Sequence, residues 1–188
     1  YKIGVFLNIS EDHISNIEHK DYEDYISSKL KLFNQTETAI VNLNTSDLDR
    51  VMEAAKNSKK IITFGNTEDA DIYGYNIRKE GMNTVFNVRT KNFDEEILLT
   101  MPGLFNVENA LAAIAVTTEL GVPYECIYDG LKKAKASGRM EVYTDQDKQV
   151  VVIVDYAHNK LSFQKLYEST IKEYPKREIV TVFGCPGN

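Results

Sequence analysis

The chain has 188 residues, 43% of them hydrophobic and 27% charged, the balance of an ordinary soluble globular protein with room for one sizeable domain or one domain and part of another. A formal net charge of -6 argues against a nucleic-acid surface, although not against a nucleotide whose phosphate charge is neutralised by magnesium. The two cysteines, Cys126 and Cys185, form neither a disulfide framework nor a zinc motif and point to a reducing cytoplasm.

No apolar run is long enough to span a membrane and no signal peptide opens the chain. It begins directly in a strand, YKIGVFLN, and ends in VFGCPGN, a strand running into a glycine turn. Both ends read as cut through architecture, as in a piece of a longer protein. Lys2–Leu7 has the apolar run of a buried strand. Asn8–Phe33 then carries a polar loop into an amphipathic helix, with Tyr22, Tyr25, Ile26, Leu30 and Phe33 on one face. Lys29 falls inside that stripe. Either its stem snorkels over the apolar face, or it turns inward for chemistry with Asp12 and His13 as polar company, since a buried unpaired ammonium is costly.

Thr38–Leu43 is a second strand. Ser46 and Asp47 offer a cap for a helix over Asp47–Asn57 whose Leu48, Val51, Met52 and Ala55 share a face. Lys60–Phe64 closes a third strand at Gly65. Strands and helices alternating at these spacings imply parallel pairing with right-handed crossovers. Asp71–Ile77, Thr84–Arg89 and Glu96–Met101 follow with no helix between them, an antiparallel extension of the parallel sheet.

Met101-Pro102-Gly103 breaks this run before a buried, alanine-rich helix over Asn106–Leu120. Gly121 suits its C′ position, and Pro123 opens another helix over Pro123–Lys135. A boundary near Ser137 divides the chain into 1–136 and 137–188. The second part begins with a hairpin, Met140–Thr144 and Gln149–Val154 across Asp145–Lys148, whose VVVIV strand reads as central in a sheet. Leu161–Tyr174 is helical, with Leu161, Phe163, Leu166, Tyr167 and Ile171 for packing, and Pro175 ends it before a strand over Glu178–Phe183. The fold class is therefore α/β: a parallel-sheet portion with an antiparallel β extension, then the opening βαβ unit of a Rossmann-like domain.

Four stretches carry polar groups where ligands bind. Asn106 and Asn109 lie at i and i+3 on the first turn of the buried helix, and each amide offers the donor and acceptor that an adenine edge requires; Asn106 equally suits a helix cap and Asn109 a buried, backbone-satisfied amide. Arg139, in Gly138-Arg139-Met140-Glu141, can reach phosphate or ribose from a cleft wall, or simply make a surface ion pair. Asp155, His158 and Lys160 follow the apolar strand at the sheet edge where α/β proteins bind ligands. Asp155 can accept from a ribose hydroxyl and His158 or Lys160 can meet phosphates at a helix N-terminus, or Asp155 or Asn159 caps the helix and His158 is a surface residue. Val182–Gly187 is a further strand-to-glycine turn. No GxxxxGK[ST] or GxGxxG motif occurs.

Taken in order, FLNISEDHIS with YISSKLKLF, MPGLFNVENALAAIA, GRMEV, VDYAHNK and VFGCPGN resemble the Mur ligase family, ATP-dependent amide-bond-forming enzymes of peptidoglycan precursor synthesis. The DYAH run and the GC-G turn are most similar to the branch that adds the third residue of the stem peptide. The resemblance implies that Lys29 is carbamylated and, with His13, supports a magnesium ion. It implies that Asn106 and Asn109 surround adenine, and that Arg139, Asp155 and His158 contact ribose and phosphates. A desolvated lysine is more often the neutral amine that adds carbon dioxide, and carbamate oxygens suit magnesium.

The implied cofactors are ATP and Mg2+, and the partners UDP-N-acetylmuramoyl-dipeptide and a free amino acid, lysine or diaminopimelate, joined through an acyl phosphate. A cytoplasmic monomer binding neither nucleic acid nor membrane is expected. The phosphate loop, the glutamate for the first magnesium and the UDP-binding domain are expected before Tyr1, and the amino-acid-selecting loop after Asn188, so these residues are expected to be inactive by themselves. Pro186 and Asn188 depart from the glycine and aspartate more usual in the family, which leaves the role of that turn open. The alternatives are a non-catalytic nucleotide-binding module, or a related ligase resembling cyanophycin or folylpolyglutamate synthetases.

Overall fold

The most buried strand in the chain, β2 (Thr38–Asn42), has all five residues inside, and the sheet is built outward from it. In the computed structural model, which describes residues 1–11, 13–81, 83–145, 147 and 149–184, β2 pairs in parallel with β1 (Ile3–Phe6) and β3 (Lys60–Gly65). Both faces of a parallel sheet need covering, and the period-two alternation of β2 serves both. Ala39 and Val41 pack with Phe6, Tyr25, Ile26, Phe33 and Val51, beneath α1 (Tyr22–Leu30) and α2 (Leu48–Ala55). Ile40 points the other way, into a core with Phe64, Phe86, Leu111 and Ile114 under α3 (Asn106–Glu119) and α4 (Tyr124–Lys132).

The antiparallel extension is present as β4 (Ile72–Glu80), β5 (Asn83–Arg89) and β6 (Asp94–Leu99), giving a six-stranded sheet in the order β1-β2-β3-β4-β5-β6. β3 and β4 are parallel neighbours without an intervening helix because only their tips meet, Phe64 with Ile72 and Gly65 with Tyr73. At Gly74 the sheet approaches α3 so closely that a Cβ would lie 2.8 Å from Leu111 Cδ1. α3 ends as its sequence suggests: Gly121 sits at φ 76°, its N–H donating to Thr118 O while Val122 N–H donates to Thr117 O. These are the two bonds of a Schellman motif.

Four expectations need correction. The Tyr22 helix does not continue to Phe33 as an α-helix; it stops at Leu30 and tightens into a 3-10 turn over Lys31–Gln35, which still delivers Phe33 to the core. Asp47 occupies the N-cap position of α2 in the left-handed conformation, with φ 51°, and makes no side-chain cap; its carboxylate instead accepts from the Tyr22 hydroxyl. The hairpin forms as β7 (Glu141–Thr144) against β8 (Val151–Val154), yet β8 is not central. Val152 and Val154 are exposed while Val151 and Ile153 are half-buried, the alternation of a strand covered on one face.

The fourth concerns Glu178–Phe183, which is not a strand. A strand requires a ladder of backbone partners, and this segment instead runs beside α5 (Lys160–Glu173), held by Tyr167 Oη against Thr181 Oγ1 at 2.7 Å and by Phe163 against Phe183. Residues 185–188 of the VFGCPGN turn, like Asp12, lie outside the described residues.

Candidate functional site

Asp21 fixes the start of α1 by accepting from Asp24 N–H at 2.8 Å, and the helix then presents Tyr25 toward the preceding loop. Tyr25 is buried, and three cationic or titratable side chains surround its ring. Lys29 Nζ lies 5.2 Å from the ring centroid, the His13 ring 5.9 Å away and the His19 ring 5.2 Å away. The two histidines are tied by their backbones, His19 N–H donating to His13 O at 3.1 Å.

Each histidine also has a carboxylate five residues downstream. His13 Nδ1 meets Glu18 Oε1 at 3.0 Å, and His19 Nδ1 meets Asp24 Oδ2 at 3.0 Å. Those hydrogen bonds hold both carboxyls below the usual carboxylate range. A carboxylate on one ring nitrogen fixes the orientation of the ring, as it does in a metal-ligating histidine.

His13 and Lys29 both contact the Tyr25 ring, but the lysine is not desolvated. Lys29 is exposed, because its four-carbon stem carries the ammonium out along the tyrosine face. Among the described residues no three His, Cys, Asp or Glu side chains converge on a metal position. A carbamate on Lys29 would add oxygen donors, the type magnesium prefers, at the ring that His13 also meets.

The second cluster stands at the start of α3. Asn106 is buried but is not the cap: Phe105 holds that position without a side-chain bond. Asn106 Nδ2 donates to Pro102 O, and Asn106 Oδ1 accepts from Asn109 Nδ2 at 3.0 Å. The buried amide is therefore fixed by structure, and the exposed Asn109 carries the free edge. Glu108 between them faces the end of β2, where Asn42 and Asn44 approach its carboxylate at 3.4 Å, and Lys165 of α5 lies 3.4 Å from it. Val5 and Leu7 of the first strand and its end line both the hollow beside Lys29 and the hollow beside Asn109, so these two clusters flank one strand end.

The third cluster follows β8. Asp155 is a clip: Oδ2 accepts from Met140 N–H and Oδ1 from Ala157 N–H, both at 2.8 Å. Two carboxylate lone pairs remain for a ligand. The clip sets Arg139 against the loop, its Cζ 4.9 Å from the centroid of the exposed Tyr156 ring, with His158 on Tyr156 at 5.0 Å. His158 Nδ1 donates to Tyr156 O at 2.9 Å, which assigns the lone pair of the neutral ring to Nε2. Lys160 is the first residue of α5, and Asn159 is its cap, accepting from Ser162 N–H at 2.9 Å.

Tyr25, His19, Tyr156, Glu108 and Lys165 were not singled out by sequence reasoning. The repeated five-residue spacing of His13–Glu18 and His19–Asp24 was a usable signal for His19. Nothing in the spacing marks Tyr25 or Tyr156, since a tyrosine in an apolar stripe reads as core.

Comparison with known proteins gives the chain a family. The Mur ligase middle domain matches residues 1–117, and the Mur ligase glutamate ligase domain matches residues 138–188. The UDP-N-acetylmuramoyl-L-alanyl-D-glutamate--2,6-diaminopimelate ligase 1 of Clostridium acetobutylicum is 32% identical over all of this chain and 38% of its own length. The corresponding L-lysine ligase of Streptococcus agalactiae serotype Ia is 37% identical over all of this chain and 37% of its own length. The crystal structure of MurF from Acinetobacter baumannii superposes with a TM-score of 0.79 at 26% identity, covering 90% of this chain and 37% of that one. The chain thus spans somewhat over a third of the length of the curated relatives it matches. With one family model covering residues 1–117 and a second covering 138–188, the chain belongs to the Mur ligases.

Proposed function

We propose that this chain is the nucleotide-binding and lysine-bearing portion of an ATP-dependent ligase that adds lysine or diaminopimelate to UDP-N-acetylmuramoyl-dipeptide. The observation that carries the reading is that Lys29 and Asn109 line hollows that share Val5 and Leu7 at the end of β1, with His13 on the Tyr25 ring that Lys29 also meets. Curated relatives that match the whole chain at 32% and 37% identity are named for those two additions. The reaction joins a substrate carboxylate oxygen to the terminal phosphorus of ATP with loss of ADP. The incoming amine then attacks the acyl carbon and phosphate leaves.

In this reading Asn109, held by Asn106, reads the adenine edge. Arg139 and His158, both in contact with the Tyr156 ring, meet ribose or phosphate, and Asp155 keeps two lone pairs for a ribose hydroxyl. His13 and the carbamate of Lys29 would hold magnesium, which when bound neutralises charge on the phosphates. The two working parts divide near Ser137. No helix among the described residues is long and apolar enough to cross a membrane, and a cytoplasmic site of action is part of the proposal.

Two measurements test it. In 13C-bicarbonate, a carbamate carbon signal is expected that disappears in Lys29→Ala. Release of ADP from ATP, UDP-N-acetylmuramoyl-dipeptide and an amino acid is expected only from a longer chain that supplies a phosphate loop. Turnover by these 188 residues alone would contradict the assignment of phosphate handling to other segments.

A further inference from the structure

α5 buries a polar face. Lys165, Ser169 and Glu173 are spaced four residues apart, so they line one side of the helix, and all three meet the first part of the chain. Lys165 reaches Glu108 at 3.4 Å. Ser169 Oγ accepts from Leu104 N–H at 3.2 Å and donates to Glu173 Oε1 at 3.3 Å. Glu173 Oε1 accepts from Gly103 N–H at 3.1 Å, and its Oε2 pairs with Lys79 Nζ at 2.9 Å. The Glu173 side chain is only 1% exposed. An apolar stripe would dock these elements without fixing an orientation, whereas hydrogen bonds are directional and fix the segment they hold.

That segment is the one on which Asn106 depends. Gly103 sits at φ 92°, where a Cβ would lie 2.8 Å from Phe105 Cε1. Its carbonyl accepts from Asn106 N–H at 2.9 Å, and the Leu104 carbonyl accepts from Val107 N–H at 3.2 Å. The Pro102 carbonyl accepts from the Asn106 side chain, and Asn106 in turn holds Asn109. The carbonyls of residues 102–104 thus serve the first turn of α3, while the amides of Gly103 and Leu104 are held by α5. α3 has no side-chain cap, so this segment is what defines its start.

We infer that Glu173 and Ser169 are positioning residues for Asn109: acting through Gly103 and Leu104, they set the direction of the amide edge that α3 presents. The ligand side of this inference rests on the adenine reading of Asn106 and Asn109; the positioning itself does not. One helix of the second part of the chain therefore orients a nucleotide contact carried by the first.

The test uses the 15N-labelled 188-residue chain, first without nucleotide. Glu173→Ala and Ser169→Ala are expected to move the backbone amides of Gly103 and Leu104 and the side-chain amides of Asn106 and Asn109, with the signals of β1–β3 unchanged. Lys79→Met combined with Glu173→Gln removes the ion pair but keeps a carbonyl oxygen for Gly103, and is expected to restore the Asn109 signal. An unmoved Asn109 signal in both alanine variants overturns the inference, as does a combined variant that matches Glu173→Ala. Should Glu173→Ala fail to fold, Ser169→Ala, which removes one oxygen, decides alone. Titration with ADP is then expected to show about five-fold weaker binding in the alanine variants, the loss of about one hydrogen bond. If the Asn109 signal moves with the variants while ADP moves neither asparagine in the parent chain, the positioning stands and the adenine reading falls.

Discussion

Lys29 holds its ammonium 5.2 Å from the centroid of the Tyr25 ring, one helical turn away on α1. The face of an aromatic ring attracts a cation by about 0.5–1 kcal/mol at an exposed site, and it offers nothing comparable to an anionic carbamate. Tyr25 therefore opposes carbamylation of the lysine it positions. Tyr25→Leu is expected to raise the carbamylated fraction of Lys29 at fixed bicarbonate by about two- to five-fold, whereas Tyr25→Phe, which keeps the ring, is expected to leave it unchanged. The 13C carbamate signal reads both, and equal fractions in the leucine and phenylalanine variants would contradict the account.

The Tyr22 hydroxyl donates to Asp47, linking α1 to the start of α2. Burial first, and then this hydrogen bond, push the phenol up from 10.0 to about 12. A folded-state value raised in this way means that the native state keeps a proton the unfolded chain has lost. The contribution is present in full below pH 10 and is lost as the pH rises toward about 12. Urea unfolding across this range should show a steeper alkaline loss of stability in the parent chain than in Tyr22→Phe. Parallel curves would remove Tyr22 from the balance.

Asp155 joins two loops through two backbone amides, those of Met140 and Ala157. Asn at this position keeps one acceptor oxygen and Ala keeps none. Stability is expected to fall by about 1 kcal/mol in Asp155→Asn and about 2 kcal/mol in Asp155→Ala, read as shifts in the urea midpoint at constant slope. Equal effects of the two substitutions would mean that the second hydrogen bond contributes little.

The legible parts of this chain were those whose periodicity has a single physical solution. The β1–β3 strands had to be parallel because helices separate them, and α3 had to be buried because apolar residues surround it. Glu178–Phe183 looked like a strand because its residues suit one, yet strand formation depends on a partner edge that composition does not reveal. The stripe around Lys29 showed on which side of α1 the residue lies, and left undetermined where a flexible four-carbon stem delivers its charge. Glu173 was invisible for the opposite reason. Lysine, serine and glutamate at four-residue spacing read as a solvated face, and only the tertiary fold places Gly103, Leu104 and Lys79 against them. The proposed site residues Asn106, Asn109, Arg139 and Asp155 came from motif order, and the contacts of Asn106 and Asp155 show that these two hold the backbone around them.

In the proposed reading Asn109, fixed by Asn106, presents the edge that meets adenine. Titrating ADP into the 15N-labelled chain and following the side-chain amides tests it most directly. A saturable shift of the Asn109 amide signal is expected, accompanied by Arg139 and lost in Asn109→Ala. Saturable binding of ADP that leaves the Asn106 and Asn109 amides unmoved would contradict it.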